Sequence, residues 1–280
     1  MQTFKTIKGL REALSAERAA GNTIGFVPTM GALHEGHLEL MRRALRENDC
    51  LVVSIFVNPI QFNNKEDLEK YPRVLEEDSK ILEDIGCQYL FAPDVDEMYP
   101  EPYKSEYDFG LLSEVMEAAF RPGHFNGVAI VVRKLFEIVE PTTAYFGEKD
   151  FQQLAVIQQL VKMFEMSVKI IPCSIVREND GLAMSSRNVR LTAHERQLAP
   201  KIFQTLQKAK KLRNVLSPEE LRRWTREELD AVEDFNIDYV EIAEDQQLQP
   251  FQHWNDASGA ILFVALFLGK VRLIDNVRIF

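Results

Sequence analysis

The chain has 280 residues, of which 46% are hydrophobic and 27% are charged. This balance excludes a disordered chain and is typical of a globular protein with one large domain, or with a large and a small one. No apolar run approaches the roughly 20 residues that span a bilayer, and no signal-peptide pattern opens the sequence. We therefore expect no membrane association and a cytoplasmic location. The net charge of −10 argues against a nucleic-acid partner, because the basic stretches are short.

The three cysteines are widely spaced and lie within apolar patterns: Cys50, Cys87 and Cys173. An odd number at such spacing does not form a disulfide framework. The sequence therefore predicts reduced, buried thiols, which agrees with a cytoplasmic location.

Strand-like and helix-like patterns alternate over the first 176 residues. After an amphipathic helix predicted over the first 21 residues, the apolar run "TIGFVPT" (23–29) precedes a helical pattern over 37–49. Further segments continue the alternation: strands over 51–58, 87–93, 143–150 and 167–176, and helices over 74–86, 110–120, 125–141 and 151–166. Apolar strands separated by helices predict an α/β fold, a Rossmann-like doubly wound parallel sheet with ligands beyond the carboxyl ends of its strands.

The pattern changes after residue 176. A long helical pattern covers 192–214, and a second helix begins after Ser217, an N-cap whose capping-box partner is Glu220. Antiparallel strands are predicted from there to the end. We therefore predict a Rossmann-like domain over 1–176 and a second, smaller α+β C-terminal domain over 177–280.

The stretch "VPTMGALHEGH" (27–37) places His34 and His37 between a strand and a helix. A metal pair is one interpretation, although a helical metalloprotease motif has its histidines four apart. Simple capping of the helix is a second. In the third, the helix start offers free N–H groups and a positive dipole end to a phosphate, with the imidazoles as further donors. The helix start favours the third interpretation, and the others stay open.

Two further stretches carry groups suited to phosphates. "GEKD" (147–150) ends a strand with Lys149, a compact point charge, and Asp150, an acceptor for ribose hydroxyls. "ENDGLAMSSRN" (178–188) contains Ser185, Ser186 and Arg187, which together suit a mobile polyphosphate clamp. A solvated turn and a flexible linker are the corresponding alternatives.

Amide side chains follow a buried strand and open a later helix. Asn58 and Gln61 come directly after the strand over 51–58, and Gln153 lies at the start of the helix over 151–166. A primary amide offers both a donor and an acceptor, so it can bind a hydroxyl and a carboxylate. Each of these amide side chains alone would be weak evidence for a binding site.

Six stretches, in order, resemble the pantothenate synthetase family, the ligases that join pantoate to β-alanine at the expense of ATP. They are "FVPTMGALHEGH", "SIFVNPIQF", "RPGHFNGVAIVV", "YFGEKDFQQL", "CSIVRENDGLAMSSRN" and "RLIDN", and the resemblance runs from about residue 3 to residue 278. "HEGH" and "MSSRN" are also similar to the HIGH-like and KMSKS-like signatures of the wider nucleotidyltransferase superfamily, with arginine where many relatives have lysine.

The resemblance implies a two-step reaction. Pantoate and ATP would give pantoyl-adenylate and pyrophosphate, and β-alanine would then displace AMP to give pantothenate. It further implies Mg²⁺ accompanying ATP, a C-terminal domain that acts as a lid, and a homodimer with "RPGHFNGVAIVVRKLF" (121–136) as a candidate interface.

The resemblance also assigns roles to residues. Those implied to bind ATP are Met30, Gly31, His34, His37, Gly147, Lys149, Asp150, Val176, Met184, Ser185, Ser186 and Arg187. Those implied to act in catalysis are His37, His34, Lys149, Ser185, Ser186 and Arg187, and those implied to bind the other substrates are Gln61, Gln153 and Met30. Asp78 and Glu77 are candidate metal ligands, although a solvated helix face explains Glu77 equally well.

Two other functions share part of this motif set. An adenylyltransferase acting on a phosphate acceptor would use "HEGH" and "MSSRN" without requiring Gln61 and Gln153. A tRNA-charging relative or a nucleotide sensor is a third possibility, which the acidic charge and the intact histidines respectively oppose.

Overall fold

A computed structural model describes residues 1–63, 65–101 and 105–280. The chain forms two units. The first comprises Met1–Phe109, Arg121–Glu148 and Val156–Ser174, and the second comprises Gly110–Phe120, Lys149–Ala155 and Ile175–Phe280. The domain boundary predicted between residues 176 and 177 lies close to Ile175, where the last segment of the second unit begins. The prediction places Gly110–Phe120 and Lys149–Ala155 in the first domain, whereas the structure groups them with the second unit.

The strands and helices follow each other along the whole chain. The strands are β1 (Gln2–Phe4), β2 (Ile24–Thr29), β3 (Cys50–Ile55), β4 (Tyr89–Phe91), β5 (Thr143–Gly147), β6 (Lys169–Cys173), β7 (Phe235–Glu244), β8 (Ala260–Leu268) and β9 (Val271–Arg278). The helices are α1 (Ile7–Ala19), α2 (Glu35–Glu47), α3 (Lys65–Glu69), α4 (Leu75–Asp84), α5 (Val95–Met98), α6 (Met116–Phe120), α7 (His124–Val139), α8 (Phe151–Met163), α9 (Ala193–Leu198), α10 (Lys201–Leu212) and α11 (Pro218–Asp230). In the ranges the structure describes, no helix has both the length and the apolar composition needed to cross a membrane.

The first unit contains a six-stranded parallel sheet in the order β1-β4-β3-β2-β5-β6. The predicted doubly wound parallel sheet is therefore confirmed. After β2 the chain adds β3 and β4 on one side, and it later adds β5 and β6 on the other, so the strand order reverses between β2 and β5. In such folds ligands bind at the carboxyl ends of the strands beside this switch point. Here those ends are Thr29 and Gly147.

Helix α7 supplies much of the first unit's apolar core. Twelve of its residues are buried, and the ring of Phe136 packs against the rings of Phe26 and Phe146, with centroids 6.3 Å away in each case. Packing inside the unit therefore accounts for the apolar pattern over 125–139. The role of 121–136 as a surface between two copies, which the family resemblance implies, stays a prediction.

Three elements differ from the sequence prediction. The helix predicted over 110–120 is divided into a 3₁₀ turn, Gly110–Ser113, and the short helix α6. Residues Gln2–Phe4 form an edge strand paired with β4, and α1 begins only after Thr6, whose side chain accepts a hydrogen bond from the amide of Gly9. The long helical pattern over 192–214 is divided into α9 and α10 at Pro200, because proline has no N–H to continue the helix.

The second unit is built on the antiparallel sheet β7-β8-β9, which confirms the smaller α+β domain. Helices α10 and α11 contribute to its hydrophobic core with residues such as Leu206 and Leu221. The predicted capping box is present, since Ser217 Oγ accepts from the Glu220 amide at 3.3 Å and Glu220 Oε2 accepts from the Ser217 amide at 2.8 Å.

All three cysteines are buried and form no disulfide, as predicted. Burial raises the pKa of Cys50 and of Cys87 to about 12, and it also raises the pKa of Cys173. Because the thiolate is the reactive form, we expect the folded protein at about pH 8 to react only slowly with a disulfide reagent. In denaturant, three equivalents should react at once. Rapid reaction of a thiol in the folded protein, followed by absorbance, would contradict this burial.

Candidate functional site

The turn between β2 and α2 has a left-handed backbone at two consecutive residues. The φ angles are +82° at Gly31 and +52° at Ala32. The carboxylate of Asp78, in α4, accepts hydrogen bonds from the amides of Ala32 at 2.9 Å and Leu33 at 2.8 Å. Successive amides in such a turn converge on an anion, and here that anion belongs to the protein itself.

Gly31 is required by this turn. A Cβ atom at this position would lie 2.9 Å from Asp78 Oδ2 and 3.0 Å from Ile55 Cγ2, in addition to the unfavourable φ. The need for glycine therefore comes from the backbone and from Asp78.

The two histidines cap helix α2. The amide of Gly36 donates to His34 Nδ1 at 3.1 Å, and the amide of His34 donates to His37 Nδ1 at 3.3 Å. The rings lie together, with their centroids 4.1 Å apart. A neutral imidazole that accepts at Nδ1 carries its proton on Nε2. Both rings are thereby set as Nε2–H donors at the start of a helix, so capping and phosphate binding are compatible interpretations.

The two candidate metal ligands do not form a common site. Asp78 is 1% exposed and both of its oxygens accept from the backbone, whereas the neighbouring Glu77 is exposed on the same helix. Among the described residues, no group of three or more His, Cys, Asp or Glu side chains could hold a metal ion. Both oxygens of Asp78 accept from the turn between β2 and α2, so this carboxylate supports the turn.

Gln61 is held in place by its backbone and its side chain. Asn58 Nδ2 donates to Gln61 Oε1 at 3.1 Å, and Gln61 Nε2 lies 3.2 Å from Met30 Sδ. The backbone carbonyl of Gln61 lies 2.9 Å from His124 Nδ1. A Cβ atom on Gly127 would lie 2.6 Å from Gln61 Cα, so this glycine allows the close approach of α7. The amide is thereby oriented with its NH₂ group as donor, beside Met30.

The residues that support Gln61 are not evident from the sequence. Asn58 is 1% exposed and also accepts from Tyr99 Oη at 3.0 Å. His124 is 6% exposed. Their signal in the sequence is a polar residue inside an otherwise apolar segment, but the sequence does not show which side chain such a residue contacts.

"GEKD" lies at the carboxyl end of β5. Gly147 ends the strand, and nothing lies within 4 Å of where its Cβ would be. Lys149 and Asp150 are in a short 3₁₀ turn, where Lys149 is half-buried and Asp150 is exposed. Gln153 follows in the first turn of α8, half-buried.

The segment that follows β6 is hydrogen-bonded along its length. The amide of Met184 donates to the Val176 carbonyl at 3.0 Å, which joins two residues assigned to ATP. Ser185 Oγ accepts from the Arg187 amide at 3.3 Å, and the Ser185 carbonyl accepts from the Asn188 amide at 3.0 Å. These bonds form a short hairpin and a turn, which a flexible linker would lack. Ser186 is half-buried in the same turn.

A doubly wound sheet with a histidine-capped helix beside its switch point defines an α/β protein with a candidate anion site at the carboxyl edge of the sheet. The family model described as pantoate-beta-alanine ligase matches residues 2–278. The chain belongs to the pantoate–β-alanine ligase family.

Individual proteins with known names are similar to this chain over nearly its whole length. Pantothenate synthetase of Porphyromonas gingivalis is 49% identical over 278 residues, which cover 99% of each chain, and that of Bacteroides fragilis is 50% identical with the same coverage. The crystal structure of pantothenate synthetase from Thermus thermophilus has a TM-score of 0.94 at 44% identity, covering 100% of both chains. A ligase structure from Francisella tularensis, complexed with beta-gamma ATP and beta-alanine, has a TM-score of 0.82 at 37% identity, covering 100% of this chain and 98% of the other.

Replacing Asp78→Asn should destabilise the protein without any metal present. One carboxylate oxygen becomes an NH₂ group, which cannot accept from the amide of Ala32 or Leu33. We expect the free energy of unfolding, measured with urea in the presence of a chelator, to fall by about 1–3 kcal/mol.

Glu77→Gln is the matched control, because it makes the same chemical change at the exposed neighbouring position. It should leave the unfolding free energy unchanged. A metal ligand would behave differently: Asp78→Asn would then keep its stability in chelator and would raise only the Mg²⁺ concentration required for activity.

Proposed function

We propose that the protein is an ATP-dependent ligase that condenses pantoate with β-alanine to pantothenate. The pantoate carboxylate attacks the α-phosphorus of ATP, the bond from that phosphorus to the bridging oxygen breaks, and pyrophosphate leaves. The amine of β-alanine then attacks the pantoyl carbonyl, loses a proton and displaces AMP. Family membership across residues 2–278 and the order of the six motifs support this reaction.

The observation that carries the proposal is the histidine pair at the start of α2. The site consists of two Nε2–H donors, the N-terminus of α2 and the carboxyl end of β2. Such an arrangement suits the phosphate groups of ATP, which stay negatively charged throughout the reaction. The negative charge on the phosphorus oxygens is redistributed in the transition state, and donors already in place stabilise it without reorganisation. We assign His37 and His34 to these oxygens.

The family resemblance supports the remaining groups that we assign to ATP. Lys149 would neutralise the α-phosphate, and Met184, Ser185, Ser186 and Arg187 would hold the β- and γ-phosphates. Asp150 would bind the ribose, and Val176 would contact the adenine through its backbone. All of these residues except Asp150 are half-buried. Partial burial suits side chains that contact a ligand and keep a fixed conformation.

Gln61 and Gln153 are assigned to pantoate. The Gln61 amide is oriented as a donor by Asn58, which suits a carboxylate or hydroxyl oxygen. Holding the pantoate carboxylate near the α-phosphorus makes the first step effectively unimolecular, which is a large part of what such an enzyme can contribute. No covalent enzyme intermediate is required.

Mg²⁺ enters this proposal as the counter-ion of the triphosphate, which it binds with most of its own water retained. No step is assigned to an ion held by Asp78 or Glu77. A homodimer, a lid role for the C-terminal domain and a cytoplasmic location belong to the same proposal. The family resemblance supports the first two, and the three thiols without a disulfide support the third. Light scattering in solution tests the dimer.

The reaction is tested with labelled pantoate, β-alanine and ATP-Mg. We expect pantothenate, AMP and pyrophosphate in equal amounts. Without β-alanine, pantoate should still support exchange of labelled pyrophosphate into ATP. Exchange with a phosphorylated acceptor, but none with pantoate, would instead indicate an adenylyltransferase.

The role of His37 is tested with two substitutions that separate its ring nitrogens. His37→Asn keeps an acceptor near the position of Nδ1 and removes the Nε2 donor, whereas His37→Gln places an NH₂ donor near Nε2. The Asn variant should lose roughly 2–4 kcal/mol of transition-state stabilisation in pantoate-dependent exchange, and the Gln variant should lose less.

His194→Ala serves as a control, because His194 is exposed and pairs with Asp234 on the second unit. It should exchange at the wild-type rate. If His37→Asn slowed the β-alanine step but left exchange intact, the assignment of His37 to adenylation would be wrong.

A further inference from the structure

Asp275 and Asn276, in β9, are buried polar residues to which the proposed reaction assigns no role. They are 4% and 5% exposed. Burying such groups is unfavourable unless they are hydrogen-bonded, so their partners indicate what they do. Both belong to the second unit, and so do Arg177 and Lys149, their hydrogen-bond partners.

Consecutive residues of a strand point to opposite faces of the sheet, so this pair reaches two different segments. Asp275 is registered opposite Val264, which lies in the hydrophobic core of the unit. Asn276 is registered opposite Phe263, whose ring packs on Phe151 at the start of α8 with centroids 5.9 Å apart. Directly opposed residues share a face, so Asn276 lies on the side of the sheet that packs against Phe151.

On the first face, Asp275 holds Arg177. The two guanidinium Nη atoms donate to the two carboxylate oxygens at 2.7 and 2.9 Å. The guanidinium also lies 3.9 Å above the ring of Phe203, and its Nη1 donates to the Gly181 carbonyl at 3.0 Å. Burial raises the pKa of Asp275, and the charges of Arg177 and Lys149 oppose that shift. These contacts hold the guanidinium group of Arg177 both at its nitrogen atoms and across its planar face.

Arg177 in turn fixes the hairpin that carries the residues assigned to ATP. It forms an antiparallel bridge with Ala183, and the adjacent amide of Met184 donates to the Val176 carbonyl. Inside the hairpin, the amide of Glu178 donates to the Leu182 carbonyl at 2.8 Å. A displacement of Arg177 would therefore displace Val176 and Met184 together.

On the other face, Asn276 holds the turn that contains Lys149. Asn276 Nδ2 donates to the Lys149 carbonyl at 3.0 Å. The carbonyl of Asn276 accepts from Arg177 Nη2 at 3.3 Å, so the two contacts are joined through one residue. The Asn276 contact holds the backbone of Lys149 rather than its ammonium group.

We propose that Asp275 and Asn276 are positioning residues that hold the hairpin over 176–187 and the turn at Lys149 in one fixed register on β9. This inference rests on the proposed function, because that function assigns both segments to ATP. The pair acts through Arg177 and through the Lys149 backbone, and it sets the geometry of nucleotide binding.

The test compares Asp275→Asn and Asn276→Ala with Asp238→Asn as a matched control. Asp238, in β7, accepts from Nε of Arg272 in β9 at 2.7 Å, so its variant weakens a different ion pair that β9 forms. Binding of a non-hydrolysable ATP analogue is measured by calorimetry at a temperature where circular dichroism shows each variant to be folded. We expect the two test variants to bind roughly 10- to 100-fold more weakly, and the control to bind as wild type.

Hydrogen exchange separates positioning from a general loss of stability. Asn276→Ala should speed exchange mainly over 148–151, and Asp275→Asn mainly over 177–188. Steady-state kinetics should show a raised KM for ATP with an unchanged KM for β-alanine. A purely structural role would instead speed exchange throughout β7, β8 and β9 and leave the KM for ATP unaltered.

The outcomes distinguish this inference from the proposed function. If the variants bind the analogue as tightly as wild type, the positioning role is overturned even though pantothenate is formed. If wild type binds the analogue but forms no pantothenate, the proposed function fails and the positioning role is judged on binding alone. If wild type binds no nucleotide, both are overturned.

Discussion

The hydrogen bonds from the Ala32 and Leu33 amides to Asp78 are the constraint on which the first part of the candidate site depends. Two consecutive left-handed residues are unfavourable by themselves, particularly at Ala32, which has a side chain. The buried carboxylate of Asp78 accepts hydrogen bonds from the amides of Ala32 and Leu33, and these bonds offset the cost of the left-handed backbone. The direction in which α2 begins, and hence where His34 and His37 lie, follows from that turn. An acidic residue in a distant helix therefore determines the geometry of two histidines.

The second unit uses buried polar groups in the same manner. Glu117, in α6, accepts from both Nη atoms of Arg272 at 2.8 Å and from Tyr239 Oη at 2.9 Å. Burial and the Glu117 charge raise the pKa of Tyr239 well above its ordinary value, so this hydroxyl stays a donor. Gln152, 4% exposed, accepts from the Glu117 amide and donates to the carbonyls of Leu112 and Val115. These contacts explain why 110–120 and the start of α8 group with the C-terminal sheet.

The sequence predicts the repetitive parts of the fold well, because apolar periodicity follows directly from burial. The parallel sheet and the α+β unit follow from it, and the capping box at Ser217 follows from local chemistry. What the sequence does not show is a pairing between distant residues. The edge strand Gln2–Phe4 exists because β4 lies beside it, and the grouping of 110–120 depends on Arg272.

The same distinction applies to the candidate site: the sequence shows its residue types but not the contacts between distant residues. The residue types of the motifs, such as the histidine pair and the terminal glutamine of "NPIQ", are visible in the sequence, and the position of the site at the carboxyl edge follows from the sheet. The partners that hold those residues are not visible. Asp78 accepts from backbone amides some 45 residues away along the chain, and the sequence, read through the family resemblance, makes it only a candidate metal ligand. His124 and Gly127 support Gln61 from α7, a helix whose sequence does not indicate this contact.

The capping of α2 by imidazoles has a thermodynamic consequence. In each ring, Nδ1 accepts from the backbone while Nε2 carries the proton, so the two hydrogen bonds of a ring polarise one another. An anion that draws on the Nε2–H bond makes Nδ1 a better acceptor and strengthens the hydrogen bond that begins the helix. Occupancy of the site and the stability of α2's first turn are therefore linked, and linkage of this kind is reciprocal. Serine or aspartate at the N-cap could begin the helix equally well, but it could not transmit the presence of a ligand to it.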